Sequence, residues 1–352
     1  MAPSLPSVEP GNQLDGLASV AAWLADGRPA IVGRVIDISG FSTWPGEELI
    51  AVDAAGERRG AILGGPGSKS ISRRVGELSA GEVGLEVLTI EIHGAQVREA
   101  GMSCGGSAQI LLQPSWSIPS ALWAALVERS PAALLTRIEG PSAGPASMVV
   151  TADGRWSGAL AVGEAVDLAA EAIALLGSGQ STTRRVDDGA GTVLVESWVP
   201  TPRLVVVGEG DLVIALGAQA ALLGWESRGV ADVADARAGL AWAGASAAAI
   251  ILSHDPGLDV PAIGLALAAG APYVGAMGSR RTQSRRLERL AAEGLSDADA
   301  ARIHRPIGLD LGGRSAAEVA LAVVAEILAV RSGRDGRPLR HRSGPIHDRP
   351  SG

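Results

Sequence analysis

Cys104 is the only thiol in a chain of 352 residues, and it stands in the string Gly101-Met102-Ser103-Cys104-Gly105-Gly106. Neighbouring glycines open backbone conformations closed to other residues and leave the sulfur without bulky neighbours, so a ligand can approach it closely. Cys104, Gly105 and Gly106 are therefore candidate site residues. The competing reading is a small apolar core residue, the commoner fate of a lone cysteine.

Three strings in the second half bear on anion and ligand binding. Gly208-Glu209-Gly210 closes an apolar run and opens a helical stretch, the context in which backbone amides at a helix N-terminus attract phosphate. The dinucleotide pattern is incomplete: Val213 holds the third glycine position, where it is expected to keep the helix farther from the sheet. Glu209 and Asp211 add negative charge. Asp232 stands about where a ribose-binding acid is expected, which leaves a nicotinamide, another ligand or none. In Gly275-Ala276-Met277-Gly278-Ser279-Arg280-Arg281, Ser279 is a plausible N-cap. Arg281, Arg285 and Arg289 then share one helix face with Arg286 alongside, either an anion site or a solvated arginine face. Arg280 and Arg281 gain nothing from the positive end of the helix, which favours function for Gly278, Ser279, Arg280 and Arg281. In Ser253-His254-Asp255-Pro256, His254 and Asp255 are expected at the carboxyl edge of a sheet, where ligands bind; a histidine held by a backbone hydrogen bond is the alternative. Asp310 and Arg314 orient a ligand or pair with each other. Ser315 and Glu318 have capping-box spacing, and His93, His304, His341 and His347 give no metal-ligand spacing.

The elements that must position these residues fall into two patterns. The first 115 residues read as mostly β, with strands near 31–36, 49–52, 60–63, 85–92 and 108–112, so that Cys104 lies on a connection between two strands. A short helix near 119–128, strands near 148–150 and 156–160, a helix over 164–176 and a strand over 192–199 follow. Gly158-Ala159-Leu160 echoes Gly60-Ala61-Ile62, an echo too short to assign a repeat. From 203 onward, strands at 204–207, 247–253 and 273–276 alternate with helices, which implies a doubly wound parallel sheet. The expected organisation is a mostly β, α+β domain over 1–199, a Rossmann-like domain over 200–330, and a basic, disordered tail over 331–352.

Net charge of −8 argues against nucleic acid as the general partner. A single cysteine excludes a disulfide framework or multi-thiolate cluster within the chain, which suits a reducing cytosol. Residues 1–13 lack a basic residue followed by an apolar run, and the longest uncharged apolar stretch, near 240–252, falls short of a membrane span. A soluble cytoplasmic protein is expected.

Taken together, the strings around Cys104, His254, Gly278 and Asp310 resemble the XdhC/CoxI family, accessory factors of xanthine dehydrogenase and related molybdenum hydroxylases. The resemblance covers both halves. It implies a Rossmann-like C-terminal domain and a protein that binds molybdenum cofactor, as molybdopterin or its dinucleotide form. Such a protein supports sulfuration of the cofactor with a cysteine desulfurase and delivers it to an apo-hydroxylase; a homodimer is expected only because two-fold assemblies are the commonest. On this reading Cys104 faces the molybdenum or its sulfur as reacting group and metal ligand, since a thiolate suits a soft centre. Gly278 to Arg281 hold the phosphate, with Gly208, Gly210, His254, Asp255 and Asp310 as further cofactor contacts. The chain departs from many relatives at Gly64-Gly65-Pro66, where they carry a second cysteine, and at Gln109 and Gln113, where they carry acids. Two other readings stay open: an NAD(P)-dependent oxidoreductase, with catalysis falling to His254 and Asp255, and a scaffold that recruits the hydroxylase without touching its cofactor.

Overall fold

The computed structural model describes residues 12–40, 48–77, 84–99, 105–140, 146–160, 165–341 and 343. They divide into two compact units, Gly11–Val199 and Pro200–His347.

The first unit runs α1 (Asn12–Ala25), β1 (Ile31–Ser39), β2 (Leu49–Val52), β3 (Arg58–Gly60), α2 (Gly64–Glu77), β4 (Glu86–Ile92), α3 (Ala95–Glu99) and β5 (Gly106–Pro114). It continues with α4 (Ala121–Val127), β6 (Ala132–Arg137), β7 (Ala146–Thr151), β8 (Trp156–Leu160), α5 (Ala165–Gly177), β9 (Thr182–Asp187) and β10 (Thr192–Trp198). The strands form two antiparallel sheets, ordered β3-β2-β1-β5-β4 and β8-β7-β6-β10-β9. Moving every strand five places along the chain turns one order into the other.

This is an internal repeat, and it corrects the expectation that the echo at Gly158 carries no repeat. Gly60 and Gly158 occupy the same place, paired with Ile50 and Met148, and both have positive φ, 75° and 84°. A Cβ at either would meet a backbone oxygen, that of Leu49 at 2.1 Å or of Ser147 at 2.5 Å, so only glycine fits. Even an irregularity is shared. The β1–β5 register slips between Val35 and Asp37, and at the equivalent place Ile138 and Glu139 both donate to the Thr192 carbonyl.

Strand alternation gives each sheet two apolar faces. Ile31, Ile50, Val52, Ile110 and Leu112 pack on Ile71 and Val75 of α2. Their counterparts Ala133, Met148, Val150, Val193 and Val195 pack on Leu168, Ala172 and Leu175 of α5. The opposite faces share a core with α1 and α4, where Val32, Leu49 and Ala51 meet Leu134, Val149 and Trp198. Ile36, Leu111 and Leu194, with Ile138 against them, form a small cluster of equivalent positions that meet as across a two-fold axis.

At that axis the alternation delivers a charge. Arg34, on the β1 face shared with the second sheet, places Nε 3.0 Å from both carboxylate oxygens of Glu196 on β10. Its Nη2 donates to Gln113 Oε1 at 2.8 Å, and Gln113 Nε2 donates to Ser147 Oγ at 2.7 Å. Arg34 and Glu196 side chains are 1% and 4% exposed. Burial raises the Glu196 carboxyl above its ordinary range, and Arg34 acts against that rise.

The second unit alternates β11 (Arg203–Val207), α6 (Asp211–Leu222), β12 (Glu226–Val230), α7 (Val233–Ala243), β13 (Ala247–Ile251), α8 (Pro256–Ala268), β14 (Tyr273–Ala276) and α9 (Arg280–Ala292). It ends with α10 (Asp297–Ala301), β15 (Ile303–His304) and α11 (Ala316–Arg331). The sheet is parallel, ordered β12-β11-β13-β14-β15, with the chain reversing its direction of build between β11 and β13. Val205, Val207, Ala249, Ile251 and Val274 face the α7–α8–α9 layer; Leu204, Val206, Ala248, Ile250 and Tyr273 face α6 and α11. Beyond α11, in the stretch expected to be disordered, Leu339–His341 forms a 3-10 turn and Gly336 lies against Leu309. Among the described residues no helix is long and apolar enough to cross a membrane.

Arg34→Leu leaves Glu196 as an unpaired buried charge and should cost about 3–5 kcal/mol. The double variant Arg34→Leu/Glu196→Leu should recover most of that loss, measured by urea unfolding of the full chain. A single variant as stable as the wild type would show that the pair is not what closes the two sheets.

Candidate functional site

In a parallel sheet flanked by helices, the strands' carboxyl ends and the following helices' N-termini share one edge. That edge brings together the turns carrying Gly208 and Gly210, His254 and Asp255, and Gly278 to Arg281. Their backbones are knitted to one another: Gly208 N donates to Val230 O at 2.9 Å, Ser253 N to Val207 O at 3.2 Å, and Met277 N to Ile251 O at 2.8 Å. A Cβ on Gly208 would lie 3.2 Å from Ser253 N, so glycine lets the two turns at the reversal point touch.

The β11–α6 turn departs from the expectation for Val213. Val213 packs against Gly229 of β12, where a Cβ would lie 3.1 Å from its Cγ1. The small residue that a dinucleotide-binding helix carries has moved to the strand, so the valine does not push the helix away. Glu209 and Asp211 remain exposed beside Gly210. Asp232, expected to bind a ribose, caps α7 instead, accepting from Asp235 N at 2.7 Å. Asp255 likewise caps α8 through Gly257 N at 2.9 Å. His254 is exposed and its ring makes no hydrogen bond among the described residues, which removes the alternative of a histidine held by the backbone.

The β14–α9 turn is the most strongly built. Ser279 caps α9, its Oγ accepting from Thr282 N at 3.2 Å. Beneath it, Gln283 Nε2 donates to Ala276 O at 2.8 Å. Arg286 donates to Met277 O and Gln283 Oε1 at 3.0 and 2.8 Å, and to Asp259 Oδ2 at 2.6 Å. Gln283, Arg286 and Asp259 are all buried, so Arg286 is a scaffold residue and does not belong to the arginine face expected for it. Arg280, Arg281, Arg285 and Arg289 are exposed, and no carboxylate pairs with them among the described residues. The missed scaffold has a signal in the sequence: Gln283 and Arg286 share the i, i+3, i+7 stripe with buried Leu290, where polar residues imply a buried network.

Asp310 is exposed, and no ion pair joins it to Arg314 among the described residues. The loop that carries them is anchored by Glu326 of α11. The Glu326 carboxylate accepts from Gly308 N at 2.8 Å and from Tyr273 Oη, and lies 3.4 Å from His304 Nδ1. His304 is on β15, with its ring stacked on Tyr273 at 4.6 Å. The Ser315–Glu318 capping box is present as expected.

In the first unit, Cys104 lies outside the described residues. Gly105 and Gly106 border it, and the connection between β4 and β5 spans thirteen residues, 93–105. A Cβ on Gly105 would meet Ile92 O at 2.6 Å, so this glycine is required by packing as well as by any ligand. The equivalent β9–β10 connection takes four residues, 188–191, held by a buried Arg137–Asp188 ion pair. A surface groove lined by Pro261, Leu265, Leu290 and Leu295 touches none of the residues expected at the site.

Residues 204–327 match the family model for the XdhC Rossmann domain. That stretch runs from β11 into α11 of the second unit, which is therefore similar to an XdhC Rossmann domain. The chain is also 34% identical over 132 residues to the Escherichia coli molybdenum cofactor insertion chaperone PaoD, and 28% identical over 176 residues to the E. coli protein YqeB. Those stretches cover 38% and 45% of this chain but only 41% of PaoD and 32% of YqeB. A Bacillus halodurans structure bearing the name xanthine dehydrogenase shares the fold, with a TM-score of 0.52 over 91% of this chain and 97% of its own, at 15% identity. In the second unit, then, the reversal point is crowded and acidic, while the β14–α9 turn is cationic and its carbonyls are held by buried side chains.

Glu326 ties that unit's last helix to its edge. Burial works to raise its carboxyl, but the bonds from His304, Tyr273 and Gly308 outweigh this and hold it below the ordinary range. The stabilisation is therefore present above the ordinary carboxylate pKa and is lost as pH falls through the depressed native value. Glu326→Gln should lower stability by about 1–3 kcal/mol at neutral pH and flatten the acid side of the profile. Thermal melts of the full chain across acidic pH would show this, and parallel profiles for the two proteins would refute it.

Proposed function

We propose that this protein is an accessory factor that binds molybdenum cofactor, supports its sulfuration and inserts it into a xanthine dehydrogenase- or CO dehydrogenase-type hydroxylase. The observation that carries the reading is the β14–α9 turn of the second unit. Its carbonyls are held from below by buried Gln283 and Arg286, while Arg280 and Arg281 stand exposed and unpaired among the described residues. A phosphate end requires donors and positive charge at a fixed place, and the residues of this turn fit it. The similarity to PaoD, whose name states molybdenum cofactor insertion, supports the same reading.

When bound, the cofactor supplies the redox metal centre of the recipient enzyme. The roles of this chain's residues follow from their chemistry. Arg280 and Arg281, with Gly278 and Ser279, bind the anionic end. His254 and Asp310, exposed on neighbouring turns, and the Gly208–Gly210 turn bound the same edge. The Cys104 thiol, with Gly105 and Gly106, serves the soft end and the sulfuration step, in which a cysteine desulfurase is the sulfur donor. The protein acts in the cytoplasm, as a homodimer, as a maturation chaperone for an apo-hydroxylase rather than as a turnover enzyme. A nicotinamide is a second candidate ligand, resting on the positive φ of Gly208 and Gly210; fluorescence titration with NADH and NADPH tests it.

Protein purified from cells that make the cofactor should carry molybdenum and oxidisable pterin, measured by mass spectrometry and fluorescence. Arg280→Ala/Arg281→Ala should lower retained pterin roughly tenfold or more, since each charge-assisted bond contributes about 1.5–3 kcal/mol. Replacing residues 93–105 by the Asp188-Gly189-Ala190-Gly191 turn should leave the unit folded and abolish activation of the hydroxylase, as should Cys104→Ser. Wild-type protein free of both molybdenum and pterin would sink the reading.

A further inference from the structure

The three sheets have six edge strands, and an edge strand leaves a row of backbone donors and acceptors without partners. Five of the six are guarded by charge or by shortness. β3 carries Arg58 and Arg59, β4 Glu86 and Glu91, β9 Arg184, Arg185 and Asp187, and β12 Glu226 and Arg228; β15 is two residues long. β8 has neither guard. Its five residues, Trp156-Ser157-Gly158-Ala159-Leu160, include no charge and no proline, the first four are exposed, and β7 is its only strand partner among the described residues.

The internal repeat shows that the fold does not demand such an edge. Trp156, opposite Val150, stands where the first repeat has Arg58 opposite Val52, and Ser157 stands where it has Arg59. Arg59 is also paired with Glu57 at 2.8 Å. The second repeat lacks these charges and begins the strand with a tryptophan that is 57% exposed. Gly158, which the fold requires, leaves a gap between the side chains at 156 and 160. Trp156 and Leu160, with Met148 behind them, make that gap an open slot of about 250 Å³. Ile173 of α5, 43% exposed, borders the β7–β8 turn, where a Cβ on Gly154 would lie 4.0 Å from its Cδ1.

We infer that β8 is a docking edge for an extended segment of another protein, which adds to the five-stranded sheet as a further strand and seats one bulky apolar side chain in the slot at Gly158. Main-chain bonds to an edge give such a contact its affinity, and side-chain pockets give it selectivity. The chemistry of the segment follows from that of the edge. It is uncharged and small on either side of the seated residue, because β8 has no charge to pair with one and docking would strip its water. Length decides the kind of partner. A strand of five residues spans roughly 17 Å and is short beside the roughly 20–30 residues that each side of a stable interface contributes, so the contact suits a partner that binds and leaves. The proposed function supplies one, the apo-hydroxylase, and the inference rests on that reading for the partner's identity.

The test is hydrogen exchange, read by mass spectrometry, on the full chain alone and with purified apo-hydroxylase. About every second amide of an edge strand points away from its sheet, and in the free chain those of Trp156–Leu160 should exchange fast. In the complex they should slow at least tenfold. Ser157→Lys and Ala159→Lys give β8 the charge that other edges carry. Both positions are exposed, so melting temperature and retained pterin should match the wild type, while affinity for the apo-hydroxylase, measured by sedimentation, falls at least tenfold. The inference is overturned by a complex in which β8 exchanges as in the free chain, or by lysine variants that bind as tightly as the wild type. Slow exchange of β8 in the chain alone, together with a doubled mass that the lysine variants lose, would overturn it by giving the edge to a second copy. A wild type that forms no complex overturns it as well, and the molybdenum and pterin retained by the chain then tell whether the cofactor reading fails with it.

Discussion

A guanidinium and a carboxylate shut between two sheets constrain everything around them. Neither Arg34 nor Glu196 reaches water, and each is tolerable only when the other arrives at the right height. That fixes the registers of β1 and β10 relative to each other, because a one-residue slip in either strand would turn its charge toward α2 or α5. The rest of the shared core is apolar and would accept several offsets. The buried pair accepts one; Gln113 and Thr136 accept from Arg34 Nη2 and Ser147 accepts from Gln113, while Arg34 Nη1 is buried without a partner among the described residues.

The same pair reveals how the unit departs from its own symmetry. Arg34 is equivalent to Thr136, and Gln113 to Glu196, so a strictly repeated sequence would set two like residues against each other at the axis. Placing the arginine in one repeat and its carboxylate in the other resolves that conflict and makes the repeats inseparable. A second departure has no such structural reason. The β9–β10 hairpin closes in four residues with its own ion pair, whereas its counterpart between β4 and β5 carries thirteen, ending at Cys104 and Gly105. The fold does not require the longer connection. It is an addition to a module that closes without it, which is where a function that the fold did not need would be built.

What the sequence disclosed follows from how local each signal is. The Tyr273–Ala276 strand, the Ser315–Glu318 capping box and the Ser279 cap depend on residues within one turn of each other, and each is found where its pattern puts it. The helices Asn12–Ala25 and Gly64–Glu77 escaped notice, the second because glycines and a proline at its start hide the Ile71 and Val75 stripe. The repeat escaped too. Its two halves agree in strand order, glycine placement and bulge but hardly in residue identity, since pairing constrains backbone and burial and leaves side chains free. Asp232 and Asp255 carry two local signals at once. An acid at a strand's carboxyl end fits a ribose or a crevice, and equally fits the N-terminus of the next helix; local hydrogen bonding decided for the cap in both cases.

At the edge of the second unit's sheet, too, local charge and hydrogen bonding set what each turn can hold. A doubly wound sheet offers its reversal point to ligands by topology alone, and there the chain has placed Glu209 and Asp211 and let Gly208 close against Ser253. Two strands away, the turn after β14 has exposed arginines at the positive end of α9 and a buried amide and guanidinium holding its carbonyls. Negative charge at one turn and positive at another sort an elongated anion by orientation as well as by affinity, because its phosphate gains only at the second. Rigidity sharpens the effect, since donors fixed by Gln283 and Arg286 lose little freedom when an anion arrives. The scaffold beneath the turn therefore belongs to the binding argument as much as the arginines above it.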